Sequence, residues 1–181
     1  MNRKQKGFSL IELLIVVAII LLITAIAIPS LLRARVRGND THAVASVRGW
    51  GNGINTYFSD WNTFPLAATN LGGSELGNTA TPTCAAGQEI PTGVAAVLGS
   101  GFTADGYNFT YAAAGTLTGR AACAGAATWD ITAYPVGGVS SNGNDAVCMD
   151  AGGLFHTNSP VGTPATGISC KTDGYVTDIN Q

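Results

Sequence analysis

The chain has 181 residues, room for one modest domain plus one extended element, since single domains commonly run to about 100–150 residues. Its formal net charge of −2 hides a division: residues 1 to 60 carry seven Lys/Arg and three Asp/Glu, whereas residues 61 to 181 carry two and eight. An acidic C-terminal region whose basic residues, Arg120 and Lys171, lie far apart argues against nucleic-acid binding by bulk charge.

Met1 to Gly7 reads MNRKQKG, a short cationic head of the kind that stays on the cytoplasmic side of a bilayer. Phe8 to Ile28 follows with only Ser9, Glu12 and Thr24 polar. As a helix this stretch is about 32 Å long, which matches a hydrocarbon core of about 30 Å. An ordinary secretory signal peptide is the rival reading, with Ala25-Ile26-Ala27 as its A-x-A cleavage signal. Glu12 argues against it, because an acidic residue inside an inserting segment costs about 2.5–3.5 kcal/mol at mid-membrane and needs a partner. Near a helix start the carboxylate meets the positive end of the macrodipole, and an amine newly exposed at Phe8 would give it a cation.

Gly7-Phe8-Ser9-Leu10-Ile11-Glu12, followed by an apolar run ending at Pro29, closely resembles the processing and methylation signature of type IV prepilins and type II secretion pseudopilins, over residues 1 to about 60. The resemblance implies cleavage between Gly7 and Phe8 and N-methylation of Phe8 by a prepilin peptidase/methyltransferase. It also implies subunit assembly through Glu12, paired with a neighbour's N-terminal amine, and an inner-membrane assembly platform as a partner. The orientation leans on it too, because Arg33, Arg35 and Arg37 after the apolar run equal Arg3, Lys4 and Lys6 before it.

Beyond Pro29 the apolar positions Ala43, Val44, Val47, Trp50, Ile54, Tyr57, Phe58 and Trp61 recur at helical spacing, which carries the helix to about Asp60. Pro29 is expected to kink it and Gly38-Asn39 to loosen it. Gly49, Gly51 and Gly53 either permit close helix-to-sheet packing or end the helix early. The aromatic residues from Trp50 to Phe64 are read as core rather than as a conducting stack. Residues 62 to 100 read as a linker region with one short helix at Pro91 to Leu98.

Alternation then predicts strands over Tyr107 to Tyr111 and Trp129 to Ala133, with Gly115 to Gly125 as the connection. Further strands are expected near Asp145 to Met149 and Leu154 to His156, with a turn at Asp150 to Gly153. The order of Tyr107-x-Phe109, Ala133-x-Pro135 and Asp150-x-x-Gly153 is similar to the head of small bacterial pilins. All four cysteines, Cys84, Cys123, Cys148 and Cys170, lie beyond the apolar segment, which suits disulfides in an exported region. Cys84 with Cys123 and Cys148 with Cys170 is the expected pairing, each closing a loop near neighbouring strands.

No Ser, Cys or carboxylate is placed by motif to form a triad with His42 or His156. Asn142, Asn144, Asp145 and Asp150 gather oxygen donors without the EF-hand spacing, so no metal and no cofactor is expected. Asn39-Asp40-Thr41 and Asn108-Phe109-Thr110 match the N-x-[ST] pattern, which is short enough to arise by chance.

The expected fold class is α+β. Residues 1–7 form a cleaved cationic leader, residues 8–60 a long helix with its transmembrane segment at 8–28, and residues 61–181 a disulfide-braced head with a small antiparallel sheet. The expected function is a non-enzymatic structural subunit that polymerises with itself through its N-terminal helix into a type IV pilus-like filament. It would reside first in the inner membrane, in contact with the lipid bilayer, and then outside the cell. A secretion pseudopilin in a periplasmic pseudopilus is the alternative; a membrane-anchored extracytoplasmic enzyme or binding module is a second.

Overall fold

One helix, α1, runs from Leu10 to Trp61. The computed structural model describes residues 7–71, 101–120, 123–137, 141–158, 170 and 177–178. The chain divides into two units, Met1–Arg35 and Val36–Gln181.

In the first unit the apolar residues of α1 are exposed all round, from Leu10 at 80% to Leu32 at 56%. The helix continues through Pro29. It also continues through Gly38-Asn39, where the Asn39 Nδ2 donates to the Asn142 carbonyl at 2.7 Å. Its end is set by Asn62, which adopts φ 54° and donates its N–H to the Phe58 carbonyl at 2.7 Å, a left-handed cap.

In the second unit α1 buries Ala43, Val47, Ile54 and Tyr57 against an antiparallel sheet. The strands are β1 (Phe102–Ala104), β2 (Tyr107–Ala114), β5 (Thr128–Pro135), β6 (Ala146–Asp150), β7 (Phe155–Asn158) and β8 (Thr177–Asp178), hydrogen-bonded in that order. Between β2 and β5 a small hairpin, β3 (Leu117–Thr118) with β4 (Ala124–Gly125), interrupts the expected plain connection. A 3-10 turn lies at Ala68–Leu71. The expected helix at 91–98 lies outside the described residues.

Strand alternation places Tyr107, Phe109, Tyr111, Trp129, Ile131, Ala133, Val147, Met149 and Phe155 in the core with the helix. At Gly51 helix and sheet approach closely: a Cβ there would meet the Met149 side chain and lie 3.3 Å from Trp129 Cη2. Gly51 and Gly53 are both buried packing glycines, and the helix does not end early. Gly49 is different: it is exposed, and a Cβ on it would find nothing within 4 Å.

β5 and β6 are buried on both faces. The second face is covered where Cys170 packs on Ala146, Cys148 and Tyr134, held by the Cys148–Cys170 disulfide with Cα atoms 5.8 Å apart. Cys123 is also disulfide-bonded; Cys84 lies outside the described residues.

Candidate assembly site on the N-terminal helix

The start of α1 is built by its own side chains. Ser9 occupies the N-cap: its carbonyl accepts the N–H groups of Glu12 and Leu13 at 3.1 and 3.3 Å, and its own N–H donates to Glu12 Oε2 at 2.9 Å. This is the reach-back half of a capping box, in which the third helical residue satisfies the N-cap amide. The Ser9-x-x-Glu12 spacing ahead of an apolar run is a helix-start signature in its own right, independent of what the carboxylate costs in a membrane.

Glu12 therefore has a partner inside its own chain, yet it stays exposed. Gly7 is exposed with open surroundings and Phe8 is 80% exposed, so the bond between them is accessible. Behind this head, α1 is long and apolar enough to cross a membrane.

The other candidate residues lie in the second unit and do not converge on one centre. Asp40 of α1 accepts the Asn144 N–H and amide Nδ2 at 2.8 and 2.9 Å, together with the Tyr107 hydroxyl at 2.7 Å. The same hydroxyl lies 2.8 Å from the Asp145 carbonyl, so one proton faces two acceptors. Burial pushes the Tyr107 hydroxyl well above the usual tyrosine range, and the Asp40 carboxylate pushes it further. Sequence patterning missed this helix-to-loop link, because four polar residues distant in sequence leave no periodic signal.

The oxygen donors of Asn144 and Asp150 are split. Asn144 is engaged with Asp40, whereas Asp150 at the far end of β6 closes its own turn, its Oδ1 accepting the N–H groups of Gly152 and Leu154 at 2.9 and 3.2 Å. Among the described residues no group of three or more His, Cys, Asp or Glu side chains is placed to hold a metal ion. His42 Nδ1 lies 3.7 Å from Asp105, and His156 Nε2 lies 3.7 Å from Asp150, on separate parts of the head.

Residues 2–28 match the model of the prokaryotic N-terminal methylation motif. Toward its N-terminus the chain is similar to type IV pilins. Over 43 residues it is 60% identical to the type IV wide pilus major component PilA4 of Thermus thermophilus, covering 24% of this chain and 33% of that protein. It is 35% identical over 78 residues to the type IV major pilin protein PilA of Myxococcus xanthus, covering 42% and 36%. With the type IV major pilin protein PilE of Neisseria gonorrhoeae it shares 33% over 72 residues, covering 40% and 43%. The chain thus matches between about a third and 43% of the length of these curated pilins. No solved structure matches it. The long pilin-type helix followed by a small antiparallel sheet is the α+β layout expected from the sequence.

Proposed function

We propose that this chain is a structural pilin, made as a membrane-inserted precursor and polymerised through α1 into an extracellular filament. The observation that carries the proposal is the apolar stretch of α1, exposed from Leu10 to Leu32 and headed by a capped carboxylate one turn from an accessible Gly7–Phe8 bond. A surface of that size needs a lipid or protein cover. The membrane supplies the first, and neighbouring copies of the same helix supply the second.

In this reading a prepilin peptidase cuts between Gly7 and Phe8 and methylates Phe8, and an inner-membrane platform drives assembly. Glu12 pairs with the N-terminal amine of the neighbouring subunit. Its Oε2 already serves Ser9, and its exposure leaves the carboxylate open to that second cation. Pro29 bends the helix beyond the span. The names of the relatives describe pilus components, which favours a pilus over a secretion pseudopilus or a membrane-anchored enzyme.

Replacing Gly7 with a bulky residue tests the processing step. The expected result is an uncut precursor retained in the inner membrane, with no fibre in the sheared fraction. A mature terminus after Ala27 in the wild-type protein, read by mass spectrometry, would restore the secretory-signal reading instead.

A further inference from the structure

We propose that Arg33 and Arg35 bind the phosphodiesters of phospholipid headgroups in the outward leaflet while the subunit resides in the membrane. The inference rests on the reading of residues 8–28 as the membrane span and adds to it a specific contact.

Both arginines are exposed; Arg33 directly follows Leu31 and Leu32, which are 71% and 56% exposed, and Arg35 lies two residues further on. Neither has a carboxylate of the described residues within salt-bridge distance; the charge pairs there are His42 with Asp105 and His156 with Asp150. Two guanidinium groups beside exposed leucines thus lack an anion.

Height along the helix selects the anion. Arg33 and Arg35 rise about 7.5 and 10.5 Å beyond Ile28, while each headgroup layer is about 5–7 Å deep outside the hydrocarbon core. Arg33 leans back further, its Nε donating to the Pro29 carbonyl at 3.4 Å, one turn nearer the apolar run. Side chains on a helix point toward its N-terminus in any case, which lowers Arg35 as well. The first anions met at that level are lipid phosphates, which the planar guanidinium engages through paired N–H donors.

The test uses the full chain in an Arg3→Lys background, with arginine Cζ labelled by carbon-13. It is reconstituted in vesicles of phosphatidylcholine mixed with phosphatidylglycerol, and solid-state NMR reads carbon-to-phosphorus dephasing. Strong dephasing is expected, with most of it lost on adding Arg33→Lys and Arg35→Lys, which keep the charge and remove the labelled carbon. Dephasing that survives both substitutions overturns the assignment. Magnetisation transfer from arginine to aspartate carboxyls in mixed-label samples, without phosphorus contact, would identify a second copy of the chain as the occupant and also overturn it. Transfer from lipid acyl chains to Val16 and Val17 reports insertion separately. With insertion present and dephasing absent, the arginine contact alone is wrong; with both absent, the membrane span is wrong too.

Discussion

The two stretches of α1 are one secondary structure under two regimes. From Leu13 to Leu32 the helix is apolar but for Thr24 and Ser30 and buries nothing within its unit, whereas after Val36 it buries one stripe, Ala43, Val47, Gly51, Ile54 and Tyr57, flanked by the partly buried Val44, Trp50 and Trp61, and is polar on much of the rest. A helix apolar all round belongs to a membrane or to a bundle of other helices, and a striped one belongs to a domain core. Substitutions should therefore act on assembly in the first stretch and on folding in the second.

The largest expected effect is at Glu12. Glu12→Ala removes both the capping interaction and the charge, and should leave mature subunit in the membrane with almost no fibre. Glu12→Gln sharpens this, because glutamine keeps the capping box but not the charge. If the intersubunit ion pair matters, both variants lose fibre; normal fibre from Glu12→Gln would assign the residue to its own helix. Quantifying membrane-resident subunit and sheared filament from the same cells decides.

In the second unit, Cys148→Ser should lower the stability of the head by about 2–5 kcal/mol, as loss of a native disulfide does in small exported domains. The cost arises where Cys170 covers β5 and β6 and where its N–H reaches the buried Asp130 Oδ2 at 3.3 Å. Equal thermal midpoints with and without reductant would contradict this. Glu12 and Cys148 lie in different units, so the effects of the two substitutions should be separable.

Alkali should unfold the head next. Burial raises the hydroxyls of Tyr57, Tyr107 and Tyr111 above their ordinary value, the last two the most. Protonated tyrosine is thus favoured by the fold: the stability it contributes is complete below a pH of about 10, the unfolded value, and is lost as pH rises toward the folded values. A denaturation midpoint that stays flat from neutral pH past that point would show the hydroxyls to be solvated.

The architecture was readable to the extent that it is periodic. The three- and four-residue spacing from Ala43 to Trp61 gave the striped helix, and the alternation of Tyr107, Phe109 and Tyr111 gave β2. β1 was missed although Asp105-Gly106, with φ 48° and 79°, is a strong two-residue hairpin signal; its three residues were too few to show alternation. The β3–β4 hairpin and β8, at two residues each, left still less. At the candidate site the reverse held. Gly7, Phe8 and Glu12 stood out by chemistry in an apolar setting, while the Asp40–Tyr107–Asn144 link, made by folding, did not.

The smallest expected effect is at Gly49. A methyl group there meets open space, and replacing a mid-helix glycine gains about 0.5–1 kcal/mol. Gly49→Ala should raise the thermal midpoint of the chain slightly, whereas the same change at Gly51 must displace the Met149 side chain. A rise at Gly51 equal to that at Gly49 would show that the contact is loose.

Among the described strands, the rims of the sheet are its shortest members: β1 has three residues and β8 two, beside eight-residue β2 and β5 in the interior. Unpaired rim backbone is a template on which another sheet can grow, and truncated rims are a common protection against it. Heads crowded side by side along a fibre would meet at very high local concentration. Among the described residues either edge offers little free ladder, so such crowding would give neighbouring heads little backbone on which to build a continuous cross-strand aggregate.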